Sequence, residues 1–218
     1  MVKSDLHIIL SAAISLDGKI ATFSGDSKLS SRRDKERLHK ERSKVDAILV
    51  GINTVNRDDP LLTVRFSKGN NPTRIILDSN GIISTSSRII QTCNKIPTII
   101  AVSHNISKKN LNMLQKFPLE IIKTGRTTVN IKTLTEKLQK KGIKKLLVEG
   151  GGTINWQFIK YGLFDEIVLT VSPFIIGGTN AITLVQGDGF QKISDSPKLK
   201  LKSTKRLEDH LVLKYVKA

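Results

Sequence analysis

Cysteine is almost missing from this chain of 218 residues: Cys93 stands alone. A single thiol excludes an internal disulfide framework and any zinc cage built on cysteine, and it suits a reducing cytoplasm. Aromatic residues are scarce too, at 5%, and no aromatic ribonucleoprotein motif occurs. Apolar runs stop well short of the ~18–20 residues a membrane-spanning helix needs. The amino-terminal stretch "MVKSDLHIILSAAISLDG" lacks the basic segment and small-residue cleavage site of a secretory signal. Acids are in short supply, 19 Asp and Glu against 36 Lys and Arg, which leaves a net charge of +17. The bases are scattered, as in "QKKGIKK" and "KLKLKSTKR", with no zinc-finger spacing. A lysine-covered, solvated surface is therefore favoured over a nucleic-acid-binding role, which stays as the remote alternative. No repeat, low-complexity tract or linker is found, so residues 1–218 are expected to form one domain.

What is present alternates between two patterns. "HIILSAAIS" (7–15), "VDAILVG" (45–51), "TRIILDS" (73–79), "PTIIAVS" (97–103) and "LEIIKTG" (119–125) are short, near-continuous apolar runs. Runs of this kind mark strands covered on both faces, as in a parallel sheet. Between them, "SRRDKERLHKERSK" (31–44), "SKKNLNMLQKF" (107–117) and "NIKTLTEKLQKKG" (130–142) have helical spacing. Ser30 or Ser31 is placed to cap the first, and Gly142 to end the last. The tail "KLKLKSTKRLEDHLVLKYVKA" alternates with period two on both sides of "LEDH", the pattern of an antiparallel hairpin. The apolar part "HLVLKYV" is expected to lie at an edge, available to an interface. The fold class is α/β: a single domain with a mostly parallel central sheet flanked by helices and an antiparallel C-terminal hairpin.

One stretch is unusual. In "KKLLVEGGGTINWQF" an apolar strand ends in Glu149, three consecutive glycines follow, and a helical pattern begins. Glycine lets backbone amides come close to a ligand, and a helix start offers free N–H groups suited to phosphate. A tight strand-to-helix connection would use glycine as well, so this run leaves both readings open. Glu149 lies at the carboxyl end of a buried strand, where α/β sheets place ligands. Three other strands end similarly: Ser15, Asp17, Gly18 and Lys19; Gly51, Asn53, Thr54, Asp58, Asp59 and Arg65; Asp78 and Ser79. Four such endings suit a shared ligand cleft.

The motifs "SLDGKIA", "DAILVGINTVNRDDPLLTVR", "RIILDS", "LLVEGGGTINWQF" and "VSPFIIGG" occur in that order. Together they resemble the reductases of riboflavin biosynthesis, members of the dihydrofolate-reductase-like superfamily, from about Leu6 to the last strand. The resemblance implies NADPH-dependent reduction of a ribosylamino-pyrimidine 5′-phosphate to its ribitylamino product, with NADH acceptance left open. No His/Cys deaminase signature is present, which implies the stand-alone archaeal and fungal type acting before deamination, on 2,5-diamino-6-ribosylamino-4(3H)-pyrimidinone 5′-phosphate. The same reduction of the deaminated 5-amino-6-ribosylaminouracil 5′-phosphate is the alternative.

By position, the resemblance assigns the substrate to Ser27, Arg42, Leu62, Arg65 and Glu149, with Lys19 and Glu149 flanking the reacting ribose. It assigns the cofactor to Ala13, Leu29, Thr54, Asp58 and Ser79, and to the turn Gly151, Gly152, Thr153, Ile154 and Asn155. It also implies a homodimer, and the single cysteine makes the cytoplasm the expected location. His7, His39, His104 and His210 match no catalytic position and are expected in surface or packing roles, and Cys93 is expected to be inert. Asp58 and Asp59 lack further ligands at metal spacing, so no metal is expected. A pterin reductase would need a buried acid in the helix facing its substrate, and the run 31–44 is instead crowded with Arg and Lys.

Overall fold

The computed structural model describes residues 5–218. In chain order its elements are β1 (His7–Ile14), β2 (Lys19–Ala21), α1 (Arg32–Arg42), β3 (Ala47–Gly51), α2 (Ile52–Asp58), β4 (Thr73–Leu77), α3 (Arg88–Gln91), β5 (Thr98–Val102), α4 (Lys108–Leu114), β6 (Glu120–Lys123), α5 (Ile131–Lys140), β7 (Lys145–Val148), α6 (Gly152–Lys160), β8 (Glu166–Val171), β9 (Ile182–Thr183), β10 (Leu199–Leu207) and β11 (His210–Lys217). They fall into two compact units: His39–Leu147 with the segment that ends at His7, and Ile8–Leu38 with Val148–Ala218.

The first unit orders its strands β7-β3-β4-β5-β6. The β3–β4, β4–β5 and β5–β6 pairs are parallel. Every residue of β3 and β5 is buried, which is why these strands read as unbroken apolar runs. Helices α4 and α5 start where short polar side chains satisfy first-turn amides: Ser107 accepts from Asn110 N and Asn130 from Thr133 N. The apolar stripe Ile131, Leu134, Leu138 of α5 is buried. That helix ends as expected at Gly142, where φ is 85° and Ile143 N donates back to Leu138 O.

Under this sheet lies an unusual core residue. Arg74 on β4 is fully buried. Its guanidinium donates to Thr98 Oγ1 (Nη2, 2.7 Å), Thr92 Oγ1 (2.8 Å), Ile89 O (2.9 Å) and Leu61 O (3.4 Å). Burial lowers its pKa to about 10, so it remains charged at neutral pH, held by carbonyls and hydroxyls.

The second unit orders its strands β10-β11-β8-β1 and carries a small β2–β9 pair. β1 and β8 run parallel; β8, β11 and β10 are antiparallel to one another in turn. Glu166, buried at the start of β8, meets Lys214 of β11 and, at 3.9 Å, Lys202 of β10. Helix α1 begins after Ser31, whose hydroxyl accepts from Asp34 N at 3.2 Å.

The α/β class, the mostly parallel sheet and the C-terminal hairpin are as expected. One placement differs. "HLVLKYV" is β11, paired on both sides, and the edge is the lysine-studded β10. Exposed lysines on an outer strand oppose edge-to-edge pairing. Elements β2, α2, α3 and β9 have no counterpart in the sequence reading.

Arg74→Met would leave the carbonyl of Ile89 and the hydroxyls of Thr92 and Thr98 without their donor in a dry core. We expect a loss of about 3 kcal/mol, read as a thermal midpoint lowered by roughly 6–12 °C. A midpoint within about 2 °C of wild type would contradict the strut role.

Candidate active site

The three glycines between β7 and α6 answer to two different constraints. Gly150 and Gly151 have φ of 75° and 87°, a left-handed backbone that side chains resist. At Gly152 the limit is space: a Cβ would stand 2.5 Å from Thr183 O and 2.8 Å from Gln186 Cγ. The turn is stitched to the 183–186 segment by Gln186 N to Gly152 O (3.0 Å) and Asn155 Nδ2 to Leu184 O (2.8 Å). Gly151 is the N-cap of the nine-residue α6 and supplies no side-chain cap. The amides of that first turn therefore have no capping acceptor of their own, which suits an anion. Thr153 is exposed and Ile154 half-buried, whereas Asn155 is 3% exposed. Its Oδ1 is buried with no hydrogen-bond partner among the described residues. Glu149 is half-buried at the end of β7.

A second arrangement holds Lys19. Ser15 N donates to Lys19 O and Lys19 N to Ser15 Oγ, both at 2.9 Å. The Ser15 hydroxyl donates in turn to Asp17 (2.6 Å), whose carboxylate accepts from Ile176 N (3.0 Å) and Gly177 N (2.7 Å). Asp17 thus clamps the "FIIGG" loop to the β1–β2 turn. The Ser15 hydroxyl and those two amides bond the charged form and hold its carboxyl well below the usual carboxylate range. Ala13 and Ser27 are half-buried. Leu29 is buried and its carbonyl takes the Nε2 proton of buried His210 at 3.1 Å.

Helix α1 contains a buried acid, contrary to expectation. Asp34 is 1% exposed, accepting from Thr170 Oγ1 (2.7 Å) and Arg37 Nε (2.8 Å). Burial opposes its ionisation, but Arg37 and the hydroxyls of Thr170 and Ser30 hold its pKa below the ordinary value. The charge run concealed it, because its partner Thr170 lies 136 residues away. The lack of such an acid is thus no ground against a pterin substrate.

The first unit gathers Arg42, Leu62 and Arg65 on one short stretch. Arg42, buried at the end of α1, donates to Thr63 O at 3.1 Å. Leu62 is buried with φ of 52°, a strain of about 1–3 kcal/mol for a non-glycine residue. Arg65 N donates to His39 Nδ1 at 2.9 Å, and its guanidinium lies 5.8 Å from the Phe66 ring centroid. His39, expected in a surface or packing role, is buried and fixes the Arg65 backbone. Thr54 and Asp58 stand one turn apart on α2, where Asp58 is bonded by its neighbour Arg57 (3.1 Å). Ser79, after β4, uses its hydroxyl to accept from Val129 N (3.1 Å). Beside it Asp78 accepts from Ile83 N (2.8 Å), and burial pushes its carboxyl up. Cys93 is buried, and burial raises its thiol pKa.

With this geometry in hand, the chain matches the family described as the RibD C-terminal domain over residues 6–213. It is 39% identical over 212 residues to the 2,5-diamino-6-ribosylamino-4(3H)-pyrimidinone 5′-phosphate reductase of Methanothermobacter thermautotrophicus, covering 96% of this chain and 97% of that protein. Among solved structures it resembles the diaminohydroxyphosphoribosylaminopyrimidine deaminase/5-amino-6-(5-phosphoribosylamino)uracil reductase of Thermotoga maritima, with TM-score 0.79 and 25% identity. That likeness covers 98% of this chain and 57% of the bacterial one. The fold is also shared with dihydrofolate reductase of Enterococcus faecalis, at TM-score 0.56, 12% identity and 98% of this chain against 97% of that one.

A depressed carboxyl pKa stabilises the folded state above the unfolded value near about 4, and the contribution fades as pH falls toward the folded one. We therefore expect the midpoint gap between wild type and Asp17→Asn to be steady from about pH 8 to about pH 5 and to narrow below about pH 4. Thermal unfolding across that range checks it. A gap that stays constant to about pH 2 would mean that the Asp17 charge does not hold the loop.

Proposed function

The chain belongs to the RibD C-terminal domain family, and from that membership we propose that it is a nicotinamide-dependent reductase of riboflavin biosynthesis. Its substrate is 2,5-diamino-6-ribosylamino-4(3H)-pyrimidinone 5′-phosphate, its product the ribitylamino compound, and its reductant NADPH. The observation that carries this reading is the 39% identity, running almost end to end, to an archaeal reductase of that name. The start of α6 supports the cofactor part: Gly151 brings no side-chain cap, and main-chain amides at Gly151 and Gly152 fit a pyrophosphate.

Reduced nicotinamide, when bound, supplies the hydride that the sugar's C1′ accepts. The protein's share is positioning and proton handling. Ring opening moves the proton of the exocyclic nitrogen to the ribose ring oxygen and leaves a C1′=N bond. We assign Lys19, held by the Ser15–Asp17 arrangement, to orient the ribose hydroxyls during that opening. Glu149 holds a sugar hydroxyl or the proton at the reacting nitrogen. Ser27, Arg42, Leu62 and Arg65 hold ribose and phosphate, the two guanidiniums as forks that match phosphate oxygens.

For the cofactor, Ala13 is small enough to leave room for a nicotinamide ring. Leu29 and Asn155, both buried, would serve through their main chains. Thr54, Asp58 and Ser79 supply polar groups in the first unit, and Thr153 and Ile154 extend the turn.

Loss of the reduced-nicotinamide absorbance on mixing protein, NADPH and the ribotide tests the reading directly. The diamino ribotide should be consumed faster than its deaminated counterpart; no oxidation with either would overturn the assignment. In Glu149→Gln, kcat should fall by about tenfold or more, with NADPH affinity kept. Wild-type turnover would make this carboxylate structural only.

We also assign a cytoplasmic homodimer. Among the described residues no helix is long and apolar enough to cross a membrane. Leu16, Phe174 and Ile175 are 65%, 51% and 77% exposed, and Leu16 N bonds Phe174 O, which makes one apolar patch suited to association. Light scattering of the active enzyme should give twice the chain mass. A monomer with full activity would reject the dimer.

A further inference from the structure

We propose that Arg88, at the start of α3, is a third arm of the grip on the substrate's 5′-phosphate, acting with Arg42 and Arg65. The proposal rests on the reading that Arg65 meets that phosphate.

The stretch from Asp59 to Arg65 is short and bent. Asp59 and Leu62 are both left-handed, with φ of 36° and 52°. Arginines hold it along its length. Arg88 takes the beginning: its main-chain N donates to Asp59 Oδ1 (2.8 Å) and its Nη1 to Asp59 O (3.4 Å). Arg74 reaches Leu61 O from below and Arg42 reaches Thr63 O. Arg65 closes the stretch, its own backbone fixed by His39. A seven-residue stretch is thus bounded by Arg88 at one end and Arg65 at the other, with Arg42 between them.

The two buried guanidiniums and the two exposed ones differ in what they can do. Arg74 is fully enclosed, its donors used by the core. Arg65 and Arg88 are exposed. One oxygen of the Asp59 carboxylate is engaged by Arg88's own main-chain amide. After burial, the positive charges of Arg42 and Arg88 act on Arg65 and lower its pKa. Both therefore lie within electrostatic reach of it.

Positive charges within reach of one another favour the approach of an anion. A phosphomonoester carries about −1.5 to −2 charge at neutral pH and offers three acceptor oxygens. One guanidinium fork neutralises only part of that, and arginine forks are suited to share the oxygens. Arg88's single 3.4 Å side-chain bond to a carbonyl is weak enough to exchange for a charged acceptor. A carboxylate would be served by Arg65 alone; a dianion uses the third arm.

Steady-state kinetics of the full chain with NADPH and the ribotide provide the test, using Arg65→Ala, Arg88→Ala, Arg88→Gln and the remote control Lys140→Ala. Arg88→Ala should raise the ribotide KM about tenfold and leave the NADPH KM unchanged. It should weaken competitive inhibition by D-ribose 5-phosphate by the same factor, but not that by D-ribose. Arg88→Gln keeps a polar amide and loses the charge, so an equal loss in that variant, with an unchanged unfolding midpoint, ties the effect to charge rather than to folding. Lys140→Ala should change neither constant. If Arg65→Ala raises the ribotide KM and Arg88→Ala does not, the third arm is wrong and the phosphate reading of Arg65 stands. If neither does, both are wrong. A rise in the NADPH KM would move Arg88 to the cofactor and overturn the proposal as well.

Discussion

A guanidinium that keeps its proton cannot be buried half-satisfied, and much of the first unit is arranged around that requirement at Arg74. Among the described residues no carboxylate bonds it. Its acceptors come from Leu61, Ile89, Thr92 and Thr98, in three separate stretches of chain. Each unmade bond would leave a buried donor at a cost of about 1–3 kcal/mol, so these stretches are held to β4 with little freedom. The segment leaving Leu61 is the one that carries Leu62 and Arg65. Strain at Leu62 is tolerated where the surroundings over-determine the backbone, and Arg74 below with Arg42 beside it provide that. The backbone position of Arg65 is in this sense inherited from a core arginine.

The strands and longer helices were legible because each writes its own period. β3 and β5 are five-residue runs buried throughout, and α5 carries Ile131, Leu134 and Leu138 on one face. Of the four elements that escaped, three are very short: α3 has four residues, β2 three and β9 two, while α2 has seven. Over such lengths neither 3.6- nor 2-residue periodicity has room to repeat. β2 and β9 exist only as partners of each other, from positions more than 160 residues apart. No local signal specifies that pairing. α3 did carry a hint in Ser87, whose side chain accepts from Ile90 N, but a lone serine in "STSSR" is indistinguishable from its neighbours.

The candidate site shows the same division. The glycine run raised the right question, and two of its three positions have the local answer, left-handed backbone. The third does not. Gly152 is required by the Thr183 carbonyl, a neighbour thirty-one positions downstream. His39 and Asp34 were visible as residue types but not as roles. Both sit in a helix with mean charge so high that a solvated face was the natural reading. Each has a partner far along the chain, Arg65 N for His39 and Thr170 for Asp34. Residue identity is legible in sequence; the partner that gives it a function is a tertiary fact.

The large positive charge divides along similar lines. Lys200, Lys202 and Lys205 stand exposed on the edge strand β10, where they contribute long-range field and guard an open edge. Arg37, Arg42 and Arg74 turn inward to a carboxylate, a carbonyl and a set of core acceptors. Lysine could not replace them easily. A buried ammonium sheds its proton far more readily than a guanidinium and has no planar fork. The net charge of +17 therefore does two physically separate things. The lysine field can raise the local concentration of any anion, weakly and subject to salt screening. The inward arginines instead spend their charge on fixed partners within the fold.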